Sequence, residues 1–434
     1  MKTGMFPGKR GEKIMSKPVK LAVIGAGARG RGYATYAKAF PEKLQIAAVA
    51  DPNEYRRNQM GDMYNVPPEM RFVSYEDFVK APKVCDAVAI CTQDNLHEAP
   101  AIACAKAGYH ILLEKPMAPT AQACRNIVAA VKEAGVMMAV CHVLRYTSYT
   151  AVIKKLIDDG EIGEIMTIQH LEPLGYWHHA HSYVRGNWRN EAESSPMLLA
   201  KSCHDIDWLR GIMGKKCVSI HSFGTLRHFK ASEKPAGAAD RCVDCPLTVE
   251  SQCPYSAIKI YFRDRFCKGH KVWPVNVLTP EVTAETLSDA LKNGDYGRCV
   301  YNCDNDVVDN QVVNMIFEDG STAQMTMTGF NFHSGRITRI FGSLGEIITD
   351  SEMVTVRHFL DNSERTIDSN IANDGGILTG HGGGDMGIME NFVKAVADND
   401  PSLILTGIDE TLESHLMVFA AEESRRTKTV CDIK

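Results

Sequence analysis

Between Val19 and Val140, short apolar runs at 20–25, 44–50, 86–91, 109–113 and 136–140 alternate with Ala-rich segments of helical period. Continuous apolar runs of that length predict strands buried on both faces, and strands alternating with helices predict a doubly wound, mostly parallel α/β sheet. Beyond Tyr146 the runs lengthen, at 164–172, 216–224, 307–317, 321–330, 336–341 and 346–349, and fewer helices separate them. This pattern predicts a second, α+β domain on a large, mainly antiparallel sheet. From about Thr225 to Asn305 the chain is rich in Cys, Pro and charge and reads as an insertion without an apolar core. Asp385 to Arg426 reads as two helices joined by Asp398-Asn-Asp-Pro401. The expected division is a disordered lead (1–17), a first domain (18–145) and a second domain (146–434) carrying the Cys-rich insertion at about 225–305.

Composition narrows the partners. The 434 residues are 44% hydrophobic, enough for two cores, and the net charge of −5 is spread with mixed signs. No basic face points to nucleic acid and no polybasic arm to a membrane, leaving a small molecule as the expected partner. No apolar run reaches the roughly 20 residues of a bilayer span, and Met1–Pro18 lacks the apolar centre of a signal peptide. The expected location is cytoplasmic, with Met15 as an alternative start. Cys85, Cys91, Cys104, Cys124 and Cys141, among 14 cysteines, fall in buried-looking segments and suit a reducing compartment.

The first apolar run ends in Gly25-Ala-Gly27-Ala28-Arg29-Gly30 and the second in Asp51. This is the G-x-G-x-x-G spacing in its strand–turn–helix setting. Gly25 and Gly27 permit a tight turn and close backbone approach to a pyrophosphate, Gly30 permits helix–strand packing, and the following helix aims its N-terminus at the anion. About twenty residues on, Asp51 is placed to bond the adenosine ribose, which predicts NAD over NADP. Ligands of such sheets lie outside the carboxyl ends of the strands, so Gly25, Asp51, Thr92 and Glu114 are expected to cluster.

Other segments carry chemistry of their own. In Glu114-Lys115-Pro116 the proline stiffens the strand exit and biases Lys115 to extended backbone, projecting its ammonium into the cleft. The stretch 176–189 holds Tyr176, His181, Tyr183, Arg185, Asn187 and Trp188, aromatic faces and donors suited to a sugar; its three close histidines also fit a metal, or a purely structural role. His381, in a glycine-rich loop before Asp385, is a further substrate candidate. Cys242-x-x-Cys245, Cys253 and Cys303 resemble a structural zinc site; an iron–sulfur cluster, free thiols and a disulfide stay open.

Taken in order, the glycine turn with Asp51, Thr92-Gln-Asp-Asn95-Leu-His97, Glu114-Lys115-Pro116, Lys201-Ser-Cys-His204-Asp205-Ile-Asp207 and Ala420-Ala-Glu-Glu-Ser-Arg-Arg426 resemble the Gfo/Idh/MocA oxidoreductases. The resemblance spans most of the chain. It implies that Thr92, Asn95, His97, Glu114, Lys115 and Arg145 line the NAD site with Gly25, Gly27, Ala28, Arg29, Gly30 and Asp51. It implies that Lys115 and His204 carry proton transfer and that His142 and Asp205 reach the substrate. It also implies a homo-oligomer formed through the large sheet. Relatives commonly place an aspartate four residues before the histidine; here Ala200 stands there, and Lys201 beside it is the expected replacement. The leading expectation is an NAD-dependent oxidoreductase of a secondary hydroxyl on a sugar, sugar derivative or polyol. The alternative is an NAD-dependent glycosidase working by transient oxidation, elimination and re-reduction, with acid and base from 176–189. A ligand sensor without turnover is the third.

Overall fold

The computed structural model describes residues 17–370 and 383–433. Most of the expected lead and His381 lie outside the described residues. Six parallel strands, β1 (Val19–Ile24), β2 (Leu44–Ala50), β3 (Arg71–Phe72), β4 (Ala87–Ile90), β5 (His110–Leu113) and β6 (Met138–Val140), form a sheet of order β3-β2-β1-β4-β5-β6. Ala87–Ile90 is buried at every position, as a strand covered on both faces must be. The chain reverses direction across the sheet between β1 and β4, which opens a crevice at their carboxyl ends.

The second sheet has nine strands: β7 (Ile165–Gly175), β8 (Cys217–Thr225), β9 (Asn310–Phe317), β10 (Thr322–Asn331), β11 (Ile337–Gly342), β12 (Gly345–Thr349), β13 (Met353–His358), β14 (Glu364–Asp368) and β15 (Cys431–Asp432). Their order is β14-β13-β12-β11-β7-β10-β9-β8-β15, antiparallel except where β7 runs parallel to β10. Alternation decides its two faces. Val313, Met315 and Phe317 of β9 and Ala323, Met325 and Met327 of β10 enter the core beneath helices Ser148–Asp158 and Cys203–Met213.

Both C-terminal helices form as expected, Gly384–Asp398 and Ile408–Thr427. The first returns to the parallel sheet, burying Ile388, Met389, Phe392 and Val393 against β1 and helix Ala28–Ala39. The second puts Met417, Val418 and Ala421 into the core of the mixed sheet, while Ile408 and Leu412 pack against that of the parallel one. The two sheets are thereby held by one helix. The insertion departs from expectation, because it has an apolar core: Ala257, Ile260, Tyr261, Val275, Leu287 and Leu291 are buried together. Several short helices supply these residues at helical spacing, and charged neighbours mask the pattern in the sequence.

Candidate active site

The glycine turn is shaped by the chain and left open by it. Gly25 has φ +95°, and a side chain there would also strike the Cys91 carbonyl at 2.6 Å; a Cβ on Gly30 would meet the Gly25 carbonyl at 2.1 Å. Gly27 differs: no described atom lies within 4 Å of where its Cβ would stand. It precedes helix Ala28–Ala39, whose N-terminus has no side-chain cap, and Ala28 is exposed. Backbone N–H groups at an uncapped helix start beside a glycine with free space fit a pyrophosphate. Asp51 closes the turn from β2, accepting from Ala26 N at 2.7 Å and Asn53 N at 2.8 Å. Each carboxylate oxygen retains a lone pair for ribose hydroxyls.

Gly25, Asp51, Thr92 and Glu114 do gather at the strand ends. Arg29 reaches from the helix start to Glu114 at 2.5 Å and to Asp385 at 2.8 Å, with Tyr33 completing the cluster. Burial alone would raise the Glu114 carboxyl; Arg29 and then Lys115 bring it below its ordinary value. His97 is fully buried and bridges the carbonyls of Pro116 (2.7 Å) and Thr92 (3.2 Å), so it braces the two loops from beneath. Thr92 is half-buried and Asn95 exposed at the mouth.

From the opposite side, the short helix Met197–Ala200 delivers the second half. Lys115 Nζ donates to the Ala200 carbonyl at 2.5 Å. The backbone thus supplies an acceptor at the position where the resemblance led to the expectation of an aspartate. Lys201 pairs with Glu172 of β7 at 3.4 Å, and Glu172 also takes Ser202 Oγ at 2.5 Å and Arg336 at 3.3 Å. Burial pushes the Lys201 ammonium down, Glu172 partly restores it, and Arg336 opposes that restoration. His204 is buried at the start of helix Cys203–Met213, its ring 5.7 Å from that of His142. His142 is fully buried, lies 5.4 Å from His415, and has no hydrogen-bond partner on either nitrogen among the described residues; burial holds its imidazole below the ordinary value.

Several expected ligands have other occupations. Asp205 is fully buried and takes His170 Nε2 at 2.8 Å and Arg336 Nε at 2.6 Å, which places it behind the pocket. Arg145 pairs with Asp207 at 2.8 Å and Glu410 at 3.2 Å, tying the exit from the parallel sheet to two helices of the second domain. Arg185 is sequestered, donating to the carbonyls of Arg298 (2.7 Å) and Tyr255 (2.8 Å) inside the insertion. His181 bonds Tyr261 at 2.8 Å and stacks on Tyr296, and burial drops its pKa to about 3. His179 falls to about 4 for the same cause, so neither is placed to supply acid or base near neutrality. Tyr183 is buried near Glu172, while Trp188 reaches Asp94 at 3.5 Å. Tyr176 is half-buried and Asn187 exposed, each open to solvent.

The expected metal site is corrected. Among the described residues no three His, Cys, Asp or Glu side chains are grouped to hold a metal ion. Cys242, Cys245, Cys253 and Cys299 line one small cavity, whereas Cys303 lies outside its lining and donates to the Cys299 carbonyl at 3.3 Å.

Four residues of this site escaped the sequence: His170, Glu172, Arg336 and His415. His170 and Glu172 share the buried phase of β7 with Ile168 and Leu174, and two ionisable groups in a core phase are a readable signal. His415 accepts from Met117 N at 2.8 Å and donates to the Thr411 carbonyl at 2.8 Å, bracing the Lys115 turn from the last helix; nothing local marks it.

A parallel nucleotide-type sheet joined to a mixed sheet, with a lysine from the first bonded to a carbonyl of the second domain between them, defines the class. The chain belongs to the Gfo/Idh/MocA oxidoreductase family: its NAD-binding Rossmann profile matches residues 19–142 and its C-terminal alpha/beta profile residues 154–433. The 2,7-anhydro-N-acetylneuraminate hydratase of Escherichia coli is 28% identical over 199 residues, 45% of this chain and 50% of that protein. An inositol 2-dehydrogenase of Klebsiella pneumoniae is 29% identical over 203 residues, 46% of this chain and 56% of that protein. The matches thus span about half the length of these curated relatives. A levoglucosan dehydrogenase in complex with NADH superposes with TM-score 0.70 at 18% identity, covering 96% of this chain and 100% of that one, a likeness of fold.

Proposed function

We propose that this protein is an NAD-dependent oxidoreductase of a secondary hydroxyl on a sugar, sugar derivative or polyol. The observation that carries the reading is the meeting of Lys115 from the parallel sheet with the Ala200–His204 segment of the second domain, at the strand ends where Gly27 leaves room for a pyrophosphate. NAD, when bound, supplies the hydride acceptor. Lys115 and Lys201 hold substrate hydroxyls, and His204 takes the hydroxyl proton. The Ala200 carbonyl and Glu172 fix the two ammonium groups, so neither must reorganise as charge moves. Asp51 favours NAD because a ribose phosphate would meet its carboxylate.

Support also comes from relatives named for inositol and levoglucosan dehydrogenation. The test is NADH absorbance over a panel of sugars and polyols, with calorimetry for both cofactors. Substrate-dependent NADH formation and tighter NAD binding are expected; no turnover with any member, or tighter NADP binding, contradicts the reading. A relative named as a hydratase favours a second, redox-neutral outcome. In that case glycoside or anhydrosugar is consumed without accumulation of NADH.

A further inference from the structure

An open cleft of about 550 Å³ lies where the insertion meets the second sheet. Tyr176 and Trp177, just past β7, form one wall; Phe332 and His333, past β10, form another; Arg265 and Trp273 of the insertion complete it. Trp273 and Phe332 are 42% and 72% exposed, large apolar surfaces left in water on both sides of one cleft. The walls are nevertheless built. The Trp177 and Trp273 rings are 5.4 Å apart, the Arg265 guanidinium lies 4.0 Å over Trp177, and Lys259 lies 5.6 Å over Tyr176. Asp264, Lys268 and His270 add both donors and acceptors to the rim.

The cleft lies along the chain from the site above. Three residues of β7, Pro173 to Gly175, separate Glu172 from Tyr176, four steps or about 13 Å at extended spacing. His178 links the two places, packing 4.9 Å from Trp273 and 6.4 Å from Tyr183, whose phenol neighbours Glu172. That span is longer than one pyranose ring and within reach of a second or third sugar unit.

We propose that this cleft is a distal sugar subsite, taking the outer unit of an oligosaccharide or glycoside whose first unit lies at Lys115, Lys201 and His204. The inference rests on the sugar reading above. Aromatic faces take up the apolar face of a pyranose, while charged groups of both signs around them bond its hydroxyls. The insertion thereby has a function its length does not otherwise explain: it supplies the outer wall that turns a monosaccharide site into an extended one.

The test is a glycan array of mono-, di- and trisaccharides of the common pyranoses, probed with the full chain and NADH, beside Trp273→Ala and Phe332→Ala, with NADH formation from NAD+ followed separately on the same glycans in solution. Both side chains are exposed, so the variants are expected to fold, and their NADH affinity checks that they do. Retention at least tenfold stronger on longer glycans than on the matched monosaccharide, cut fivefold or more by either variant, supports the subsite. Equal retention at every length, no retention, or variants that bind as the parent does would overturn it. So would variants whose only change is a smaller sedimenting species, since the aromatics would then serve a second copy. Length-dependent retention without NADH formation from any retained glycan sinks the oxidoreductase reading and leaves the subsite standing. NADH formation with no length preference does the reverse.

Discussion

In the parallel sheet, the residues that shape the cofactor crevice sit at the strand ends: Gly25 and Gly27 after β1, Asp51 after β2, Thr92 after β4, Glu114 and Lys115 after β5. In the mixed sheet, the groups around Lys201 and His204 come from β7, from the chain after β10 and from a helix start, as Glu172, Arg336 and Asp205. The first arrangement is dictated by backbone geometry, which admits few residue types at a given position. The second is dictated by charge balance among buried groups, which constrains the set and leaves each member free to come from anywhere in the chain. Local spacing therefore reads the first site and misses the partners of the second.

The sharpest ways to break this contrast begin with chemistry. Replacing His204 by Ala should lower turnover roughly 100-fold or more, the range for removing a proton-transfer group, with NAD affinity nearly unchanged. Steady-state NADH formation with calorimetry on the same preparation checks it. Arg185→Met tests the reassignment of a residue expected to touch substrate. It should leave the Arg298 and Tyr255 carbonyls without their donor, at about 1–3 kcal/mol each. The loss should appear as faster proteolysis within 225–305; intact stability with weakened substrate binding would restore the original expectation.

Gly27→Ala separates glycine kept for a ligand from glycine kept for the fold. Because its Cβ meets no described atom, the melting temperature should stay near the parent's while NAD affinity falls about tenfold. Gly30→Ala, facing a carbonyl at 2.1 Å, should instead destabilise the domain. The smallest effect concerns pH. Glu114 is held below its ordinary value near 4.5, so its contribution to stability is fully present above that pH and is lost as pH falls through the lower folded value. Glu114→Gln should therefore flatten the acid limb of a denaturation profile below pH 4.5 and leave its slope above unchanged.

Much of the fold was legible because continuous apolar runs and their spacing mark a parallel sheet, and longer alternating runs mark the mixed one. The insertion's core was not, since Ile260, Leu287 and Leu291 come from short helices embedded in charge. Within the segment 176–189, Arg185 and His181 misled for a related reason. Aromatic and cationic side chains suit a sugar rim and suit equally a core where each polar atom finds a carbonyl or a phenol, as Arg185 and His181 do. Sequence gives the donors; only the fold gives the acceptors.

The central claim is that Lys115, just past the parallel sheet, and His204, at a helix start of the second domain, serve one reaction. The direct measurement is a double-mutant cycle in turnover, with Lys115→Ala, His204→Ala and the combined variant each confirmed folded and NAD-bound. Groups acting as a unit are grossly non-additive. The combined variant should be about as slow as the slower single variant, and losses that multiply independently, or parent-rate turnover in either single variant, would contradict the account.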